Sequence, residues 1–138
     1  MFTYIKKAHY HETDQMGVIH HANYVKWMEE ARLAYLEELG LGYQHVEAEK
    51  VFSPVVSVGV QYKSPACFAD DIEIQVSVEK YTSVKLQLAY RFFNKTTNQP
   101  CACASSVHCF IKNGKIISLK KDMPALHEKL SALFRNKE

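Results

Sequence analysis

The chain has 138 residues, of which 47% are hydrophobic and 23% charged, with a formal net charge of +2. This length fits one domain with its own core, and the composition argues against disordered, collagen-like and fibrous classes. The charges are scattered rather than gathered into a basic arm, which argues against a dedicated nucleic-acid-binding protein. No apolar run approaches the ~18–20 residues of a membrane span, and no secretory signal is evident. We therefore expect a single cytoplasmic domain over residues 1–138.

In chain order, the first predicted elements are an edge strand over residues 2–11 and a helix of about five turns over residues 23–39. Asn23 is the expected N-cap of the helix, and Gly40 is the expected left-handed residue after its last turn. The helix carries a single apolar stripe, which needs a broad surface to cover it. The stripe consists of Tyr24, Trp27, Met28, Ala31, Ala34, Tyr35 and Leu39.

Three later segments alternate apolar and polar residues with period two, as strands with one buried face do. A fourth strand is expected from Cys101 to Ile111, then a hairpin turn at Asn113-Gly114 and a short strand near residues 115–119. A closing helix is expected over residues 122–135, with Asp122 as N-cap and Pro124 in its first turn. The predicted fold is α+β, one long helix laid across a curved antiparallel sheet. The predicted buried sets are Val56, Val58, Val60 and Tyr62; Ile72, Ile74, Val76 and Val78; and Val84, Leu86, Leu88, Tyr90 and Phe92.

The four cysteines are expected to be reduced. Cys101 and Cys103 are two residues apart on one strand, too far apart for an unstrained disulfide. We interpret them as small buried side chains in a reducing compartment. A metal site made from Cys101, Cys103, His108 and Cys109 is disfavoured, because His108 faces the other side of the strand.

Titratable residues concentrate in the connection between the first strand and the long helix, residues 9–23. Four of the seven histidines lie there, together with Tyr10, Glu12 and Asp14. The free N–H groups and the positive dipole end of the helix point into such a connection, where they can hold an anion or polarise a carbonyl. This connection is the predicted active site.

The run from Tyr10 to Tyr24 resembles the motif of the 4-hydroxybenzoyl-CoA thioesterase family, which has the hotdog fold. A second run, Tyr62-Lys63-Ser64-Pro65-Ala66 followed by Asp70-Asp71, resembles the same family, and so does the strand order. The likeness is strongest to the acyl-CoA thioesterases associated with bacterial Tol-Pal genes. One departure is Glu12, which stands where many relatives have the first Asp of an Asp-x-Asp pair; catalysis is assigned to the second acid.

The resemblance implies that Asp14 is the catalytic carboxylate, which attacks the thioester carbonyl or activates a water. The backbone N–H near His21, at the helix start, would polarise the carbonyl. His21 would orient water or share a proton with Asp14, Tyr10 would hold the carboxylate, and Gly17 would let the backbone pass close to the acyl group.

The resemblance also implies an acyl-CoA substrate without a cofactor or metal, and a homodimer or homotetramer with the site at the subunit interface. In such an assembly the pantetheine arm runs between subunits and the nucleotide phosphates lie near the surface. Solvated surface charges are the alternative interpretation for the lysines in this set. The substrate-binding candidates, besides Gly17, are Asn23, Lys63, Lys80, Ser83 and Lys85.

Three other functions stay open. A hotdog hydratase or dehydratase would act on the acyl thioester without hydrolysing it, although no Pro-rich stretch follows the histidines. A metal-dependent hydrolase would use His9, His11, Asp14 and His21 as ligands. A non-catalytic acyl-CoA-binding protein would need the pocket but not Asp14. Glu29 and Glu30 lie on the charged side of the helix and are interpreted as solvated. The acyl chain, and the choice between CoA and acyl-carrier-protein thioesters, are not determined.

Overall fold

The structure is a computed structural model that describes residues 2–40, 42 and 48–136. The long helix and the four long strands that follow it are present as predicted. The first strand is shorter than predicted, and β2 was not predicted. The elements are β1 (Phe2–Lys7), a 3₁₀ turn (Tyr10–Glu12), α1 (Asn23–Glu38), β2 (Val51–Phe52), β3 (Val55–Tyr62), β4 (Asp71–Thr82), β5 (Lys85–Asn94), β6 (Gln99–Cys109), β7 (Ile111–Lys112), β8 (Lys115–Ile116), α2 (Leu119–Asp122) and α3 (Pro124–Arg135).

Helix α1 buries most of its predicted stripe, with Arg32 and Leu36 in addition. Gly40 has φ +87°, so the predicted left-handed residue after the helix is confirmed. The predicted N-cap role of Asn23 is wrong. Ala22 takes the cap position, and the Asn23 amide instead donates to the main-chain oxygen of Glu12, outside the helix.

The main sheet is antiparallel, with strand order β1-β4-β5-β6-β3. The inward side chains of its central strands β4 and β5 form one core with α1, as the period-two pattern predicts. Their exposure is at most 3% at Ile72, Ile74, Val76, Val78, Leu86, Leu88, Tyr90 and Phe92. This face of the sheet positions α1, and therefore the loop that precedes it.

Strand β3 departs from its predicted burial. Val56, Val58 and Tyr62 are 54%, 45% and 48% exposed within this chain, and only Val60 is half-buried. The physical reason is that β3 is an edge strand, paired among the described residues with β6 alone and with a register shift between Val55 and Ser57. Its apolar residues are arranged for burial, but the described part of this chain does not cover them.

The end of the chain contains one confirmed turn and one corrected helix start. Asn113 and Gly114, with φ 54° and 73°, connect β7 to β8, as a two-residue hairpin turn requires. Asp122 is not an N-cap, because it ends α2. Met123 breaks the helix with φ −142°, and Pro124 then begins α3. No helix within the described residues is long and apolar enough to cross a membrane.

Candidate active site

The Asp14 loop, residues 14–18, is a closed turn in front of α1. The Asp14 N–H donates to the Val18 carbonyl at 2.8 Å, and the Gly17 N–H donates to the Asp14 carbonyl at 3.1 Å. Gly17 has φ +81° and open space around its α-carbon, so this position needs glycine for its backbone conformation rather than for room. A bridge between Thr13 and Ile19 closes the base of the loop.

The Asp14 carboxylate is half-buried and anchored by one oxygen. Its Oδ1 accepts the Met16 N–H at 2.8 Å and the Val18 N–H at 3.4 Å. Its Oδ2 has no hydrogen-bond partner among the described residues. The backbone therefore fixes the direction of the carboxylate while one oxygen stays available to a reacting atom.

The loop rests on the segment that carries the second motif. The Ile19 N–H donates to the Ala66 carbonyl at 2.8 Å, and Val18 bridges Cys67. Behind this contact, the buried Asp70 carboxylate accepts the Cys67 N–H and the Asn94 amide, each at 2.8 Å. This support holds the outer side of the Asp14 loop against the sheet.

The start of α1 presents an unpaired N–H group at His21. In the described part of the chain this N–H has no acceptor, while the neighbouring N–H groups of His20, Ala22, Asn23 and Tyr24 each have one. It is one of the free N–H groups expected at a helix start, where the positive end of the helix dipole lies. A free N–H at this position can polarise a carbonyl oxygen.

A hydrogen bond from Tyr62 and a stacking contact between two histidine rings surround this N–H. The Tyr62 hydroxyl, whose pKa burial raises, donates to the His21 carbonyl at 2.8 Å. The His20 and His21 rings stack with centroids 4.3 Å apart. The His20 Nδ1 accepts the Ala22 N–H, so neutral His20 carries its proton on Nε2. Tyr62 was not expected to act here.

Two predicted site residues are placed differently from the expectation. Tyr10 is 73% exposed, with its ring edge against Phe68 and without a hydrogen bond to Asp14 in the described structure. The Asn23 amide is committed to the Glu12 carbonyl at 2.8 Å. The roles of Tyr10 and Asn23 toward substrate stay predictions, and in this chain Asn23 ties the helix start to the preceding turn.

The predicted substrate-binding residues lie at two ends of the sheet. Lys63 is exposed at the end of β3, three residues before Ala66 and so on the side of the Asp14 loop. Lys80, Ser83 and Lys85 surround the β4–β5 turn at the other end of β5. Strand β5 has ten residues, so at about 3.4 Å per residue its ends are roughly 30 Å apart. Within one chain the structure does not bring these three residues near Asp14.

Glu12 is a buried residue of this region whose importance the sequence did not indicate. It is 6% exposed, and its two carboxylate oxygens accept the His9 N–H and the Trp27 indole N–H, each at 2.8 Å. Burial raises the pKa of this carboxyl, but the two hydrogen bonds and the charges of Lys6 and His9 outweigh it and hold the pKa below its usual value. One available signal was Trp27, whose N–H needs an acceptor when it lies in an apolar stripe.

Metal-ligand geometry is not found around the histidines. In the ranges that the structure describes, no three His, Cys, Asp or Glu side chains are grouped as metal ligands would be. The His9 and His11 rings stack on each other with centroids 5.4 Å apart. The buried His108 is also remote from such a role, since its Nε2 is 2.7 Å from the Ser106 hydroxyl, which in turn bonds Tyr90.

A carboxylate with one free oxygen, on a loop that is tied to a helix start with an unpaired N–H, is suited to hydrolysing an activated carbonyl compound. Residues 8–132 match the model of the thioesterase-like superfamily. The chain belongs to this superfamily, has its hotdog fold, and is of the thioester-hydrolase class.

Individual relatives agree with that assignment. Over 122 residues, 88% of both chains, the sequence is 34% identical to a putative acyl-CoA thioesterase, YneP, from Bacillus subtilis. It is 32% identical to the acyl-CoA thioester hydrolase YbgC of Escherichia coli over 68% of this chain and 70% of that one. A DHNA-CoA thioesterase structure from Staphylococcus aureus superposes with TM-score 0.90 and 33% identity, over 99% of this chain and 94% of that chain.

Proposed function

We propose that this protein hydrolyses the thioester of an acyl-CoA to the free acid and CoA. The observation that carries the proposal is that a free Asp14 Oδ2 and an unpaired His21 N–H belong to one short segment, whose two ends are joined by the bond from the His20 N–H to the Glu12 carbonyl. Relatives named acyl-CoA thioesterase support the substrate class.

In the proposed reaction the substrate carbonyl oxygen accepts the His21 N–H. Asp14 either attacks the thioester carbon, forming an anhydride that water then opens, or removes a proton from a water that attacks the same carbon. In both routes the carbon–sulfur bond breaks, the sulfur leaves as a thiolate that takes up a proton, and one water is consumed. The positive end of the helix dipole, at the start of α1, stabilises the negative charge that develops on the carbonyl oxygen.

A first turnover in water enriched in heavy oxygen separates a general-base route from an anhydride that water opens at the Asp14 Cγ. In the anhydride route, the first acid released takes its new oxygen from the protein and is unlabelled, and the label enters Asp14. If Asp14 is a general base, the first acid carries the label.

The site is proposed to be complete only in a dimer. Val56, Val58 and Tyr62 of β3 are exposed on a free sheet edge, which a second copy can cover by strand pairing. Lys80, Ser83 and Lys85 lie roughly 30 Å from the Asp14 end of β5, and we propose that they approach a bound nucleotide from another copy. A homotetramer of two such dimers is the proposed assembly.

The proposed location is the cytoplasm. All four cysteines, Cys67, Cys101, Cys103 and Cys109, are free thiols, as in a reducing compartment.

The test of the proposed function is thiol release from a panel of thioesters by protein stripped with a chelator. The panel holds short-chain, long-chain and aromatic acyl-CoA and an acyl-carrier-protein thioester. We expect free CoA and free acid in equal amounts, with turnover undiminished by the chelator. Conversion of an enoyl-CoA without thiol release would instead show a hydratase. Loss of turnover with the chelator would show a metal enzyme, and binding without turnover a carrier.

A further inference from the structure

We propose that Glu12 is a positioning residue that keeps the Asp14 loop in register with the His21 N–H. This inference rests on the proposed function, because it concerns the geometry of the same site. Nothing in the resemblance to the family assigns Glu12 a role.

The side chain of Glu12 is buried and bonded to protein groups. Oε1 accepts the His9 N–H and Oε2 accepts the Trp27 indole N–H, each at 2.8 Å, and the residue is 6% exposed. Because the carboxylate is buried and both oxygens are engaged by the protein, we assign Glu12 a positioning role and not a catalytic one. Bonds of this kind, to an ionised acceptor, are stronger than those between neutral groups. The lowered pKa of Glu12 agrees with an anion at neutral pH.

The main chain of Glu12 makes the second half of the connection. Its carbonyl oxygen accepts the His20 N–H and the Asn23 side-chain amide, each at 2.8 Å. Glu12 is two residues before Asp14, and His20 directly precedes His21. The backbone of Glu12 is therefore hydrogen-bonded to the helix start, and the chain reaches Asp14 two residues later.

Trp27 holds the Glu12 side chain against helix α1. It is fully buried in the middle of the α1 stripe, between the helix and the sheet. Its indole N–H holds the Glu12 carboxylate and so sets the position of the turn against the helix whose start presents the His21 N–H. When this bond is lost, the Asp14 loop and the helix start can shift relative to each other. A misplacement of about 1 Å is enough to reduce a rate about 10²-fold.

The experiment compares Glu12→Gln, Glu12→Asp, Trp27→Phe and the double variant Glu12→Gln/Trp27→Phe in acyl-CoA hydrolysis. We expect Glu12→Gln to lower kcat by about 10–100-fold, because geometry rather than binding is lost, with KM changed less than about threefold. Glu12→Asp keeps the anion and restores most of kcat. The double variant is no slower than Glu12→Gln alone, because both substitutions break one bond.

The control is Leu130→Ala, a fully buried α3 residue outside the site. It lowers the melting temperature and leaves kcat per folded molecule unchanged. If Glu12→Gln behaves like this control, with a lower melting temperature and normal kcat, Glu12 has only a structural role and the proposal is wrong. The proposal is also overturned if Glu12→Gln raises KM and leaves kcat unchanged. Additive losses of kcat in the double variant would overturn it as well. Failure of the proposed function is distinct, since the wild-type protein would then release no thiol.

Discussion

The centre and the edge of the sheet carry the same sequence pattern and have opposite surroundings. Ile74 and Val76 in β4 alternate with polar residues and are fully buried against the core. Val56 and Val58 in β3 also alternate with small residues, Ser57 and Gly59, yet both valines are about half exposed. The comparison teaches that alternation of apolar and polar residues indicates which face of a strand is apolar. It does not indicate whether the same chain or a second one covers that face.

This difference bears on function, because the candidate active site adjoins the edge strand β3 and not the central strands β4 and β5. Tyr62, the last residue of β3, donates to the His21 carbonyl. The central strands only hold α1 in place. Substitutions at the centre should therefore act on stability, and substitutions at the edge should act on assembly and activity.

Among substitutions that test this comparison, the largest effect is expected from Val58→Lys. A lysine on the inward face of an edge strand opposes strand pairing, and an unpaired charge buried at an interface costs several kcal/mol. Since each ~1.4 kcal/mol is tenfold, the dimer dissociation constant should rise by at least about 100-fold, and activity should fall with it. Light scattering and thiol release measure the two effects.

The control for Val58→Lys is Ile5→Lys on β1, the other edge strand, where Ile5 is 51% exposed. It should keep both assembly and activity. If Val58→Lys remains an active dimer, β3 is not the interface and the proposed shared site is wrong.

Ile74→Ala tests the centre of the sheet. Removing a fully buried side chain should lower the free energy of unfolding by about 2–5 kcal/mol, through lost burial and the cavity left behind. Urea denaturation measures this, with Ile5→Ala as the exposed control, expected to change stability by roughly 0.5 kcal/mol or less. Equal losses in the two variants would contradict the distinction between centre and edge.

The free energy of unfolding should depend on pH through a buried histidine, His108, and not through the exposed edge of the sheet. Burial, then the charge of Arg32, lowers the pKa of His108 to about 4, although the backbone at Ser53 and Pro54 raises it. The unfolded chain takes up this proton near the ordinary value of about 6.5, so unfolding becomes easier as pH falls from about 6.5 toward 4. The slope contributed is at most about 1.4 kcal/mol per pH unit.

Urea titrations between pH 7 and 4 measure this slope. His108→Gln can keep a hydrogen bond to Ser106 but does not titrate, and it should flatten the dependence. An unchanged slope in this variant would show that His108 is not its source.

The smallest effect is expected from Tyr62→Phe. This variant keeps the ring but removes the hydroxyl that donates a hydrogen bond to the His21 carbonyl. One hydrogen bond of about 0.5–1.5 kcal/mol corresponds to roughly a two- to twelvefold loss in kcat/KM. Tyr81→Phe is the matched control, since it removes the hydrogen bond to His127 on the side of α3. It should leave kcat/KM unchanged, and a similar loss in both variants would argue against a role for Tyr62 at the site.

Much of the fold is predictable because its signals are local. The stripe of α1, the alternation of β4 and β5, and the Asn113-Gly114 turn each depend on neighbours in sequence. The break of the last helix at Met123 also has a local cause, because Pro124 disfavours helical backbone at the residue before it. The burial of Arg32 on α1 is not local. Arg32 is buried because it pairs with Glu29 and reaches the Ser53 carbonyl, a contact that spacing along the helix does not show.

The same distinction applies to the site. Asp14 and His21 lie in one short run, so a motif can indicate them together. Glu12 and Tyr62 meet their partners 15 and 41 residues away, through contacts that only folding creates. The exposure of Tyr10 was equally invisible, because it depends on where the segment carrying Phe68 lies.

The most direct test of the account is acyl-CoA hydrolysis by Asp14→Asn, beside Asp122→Asn as the same substitution at an exposed position away from the site. Loss of the proposed catalytic carboxylate should lower kcat by about 10²–10⁴-fold with folding intact by circular dichroism. Asp122→Asn should retain wild-type turnover. Full activity in Asp14→Asn would contradict the assignment of Asp14 as the carboxylate that breaks the thioester.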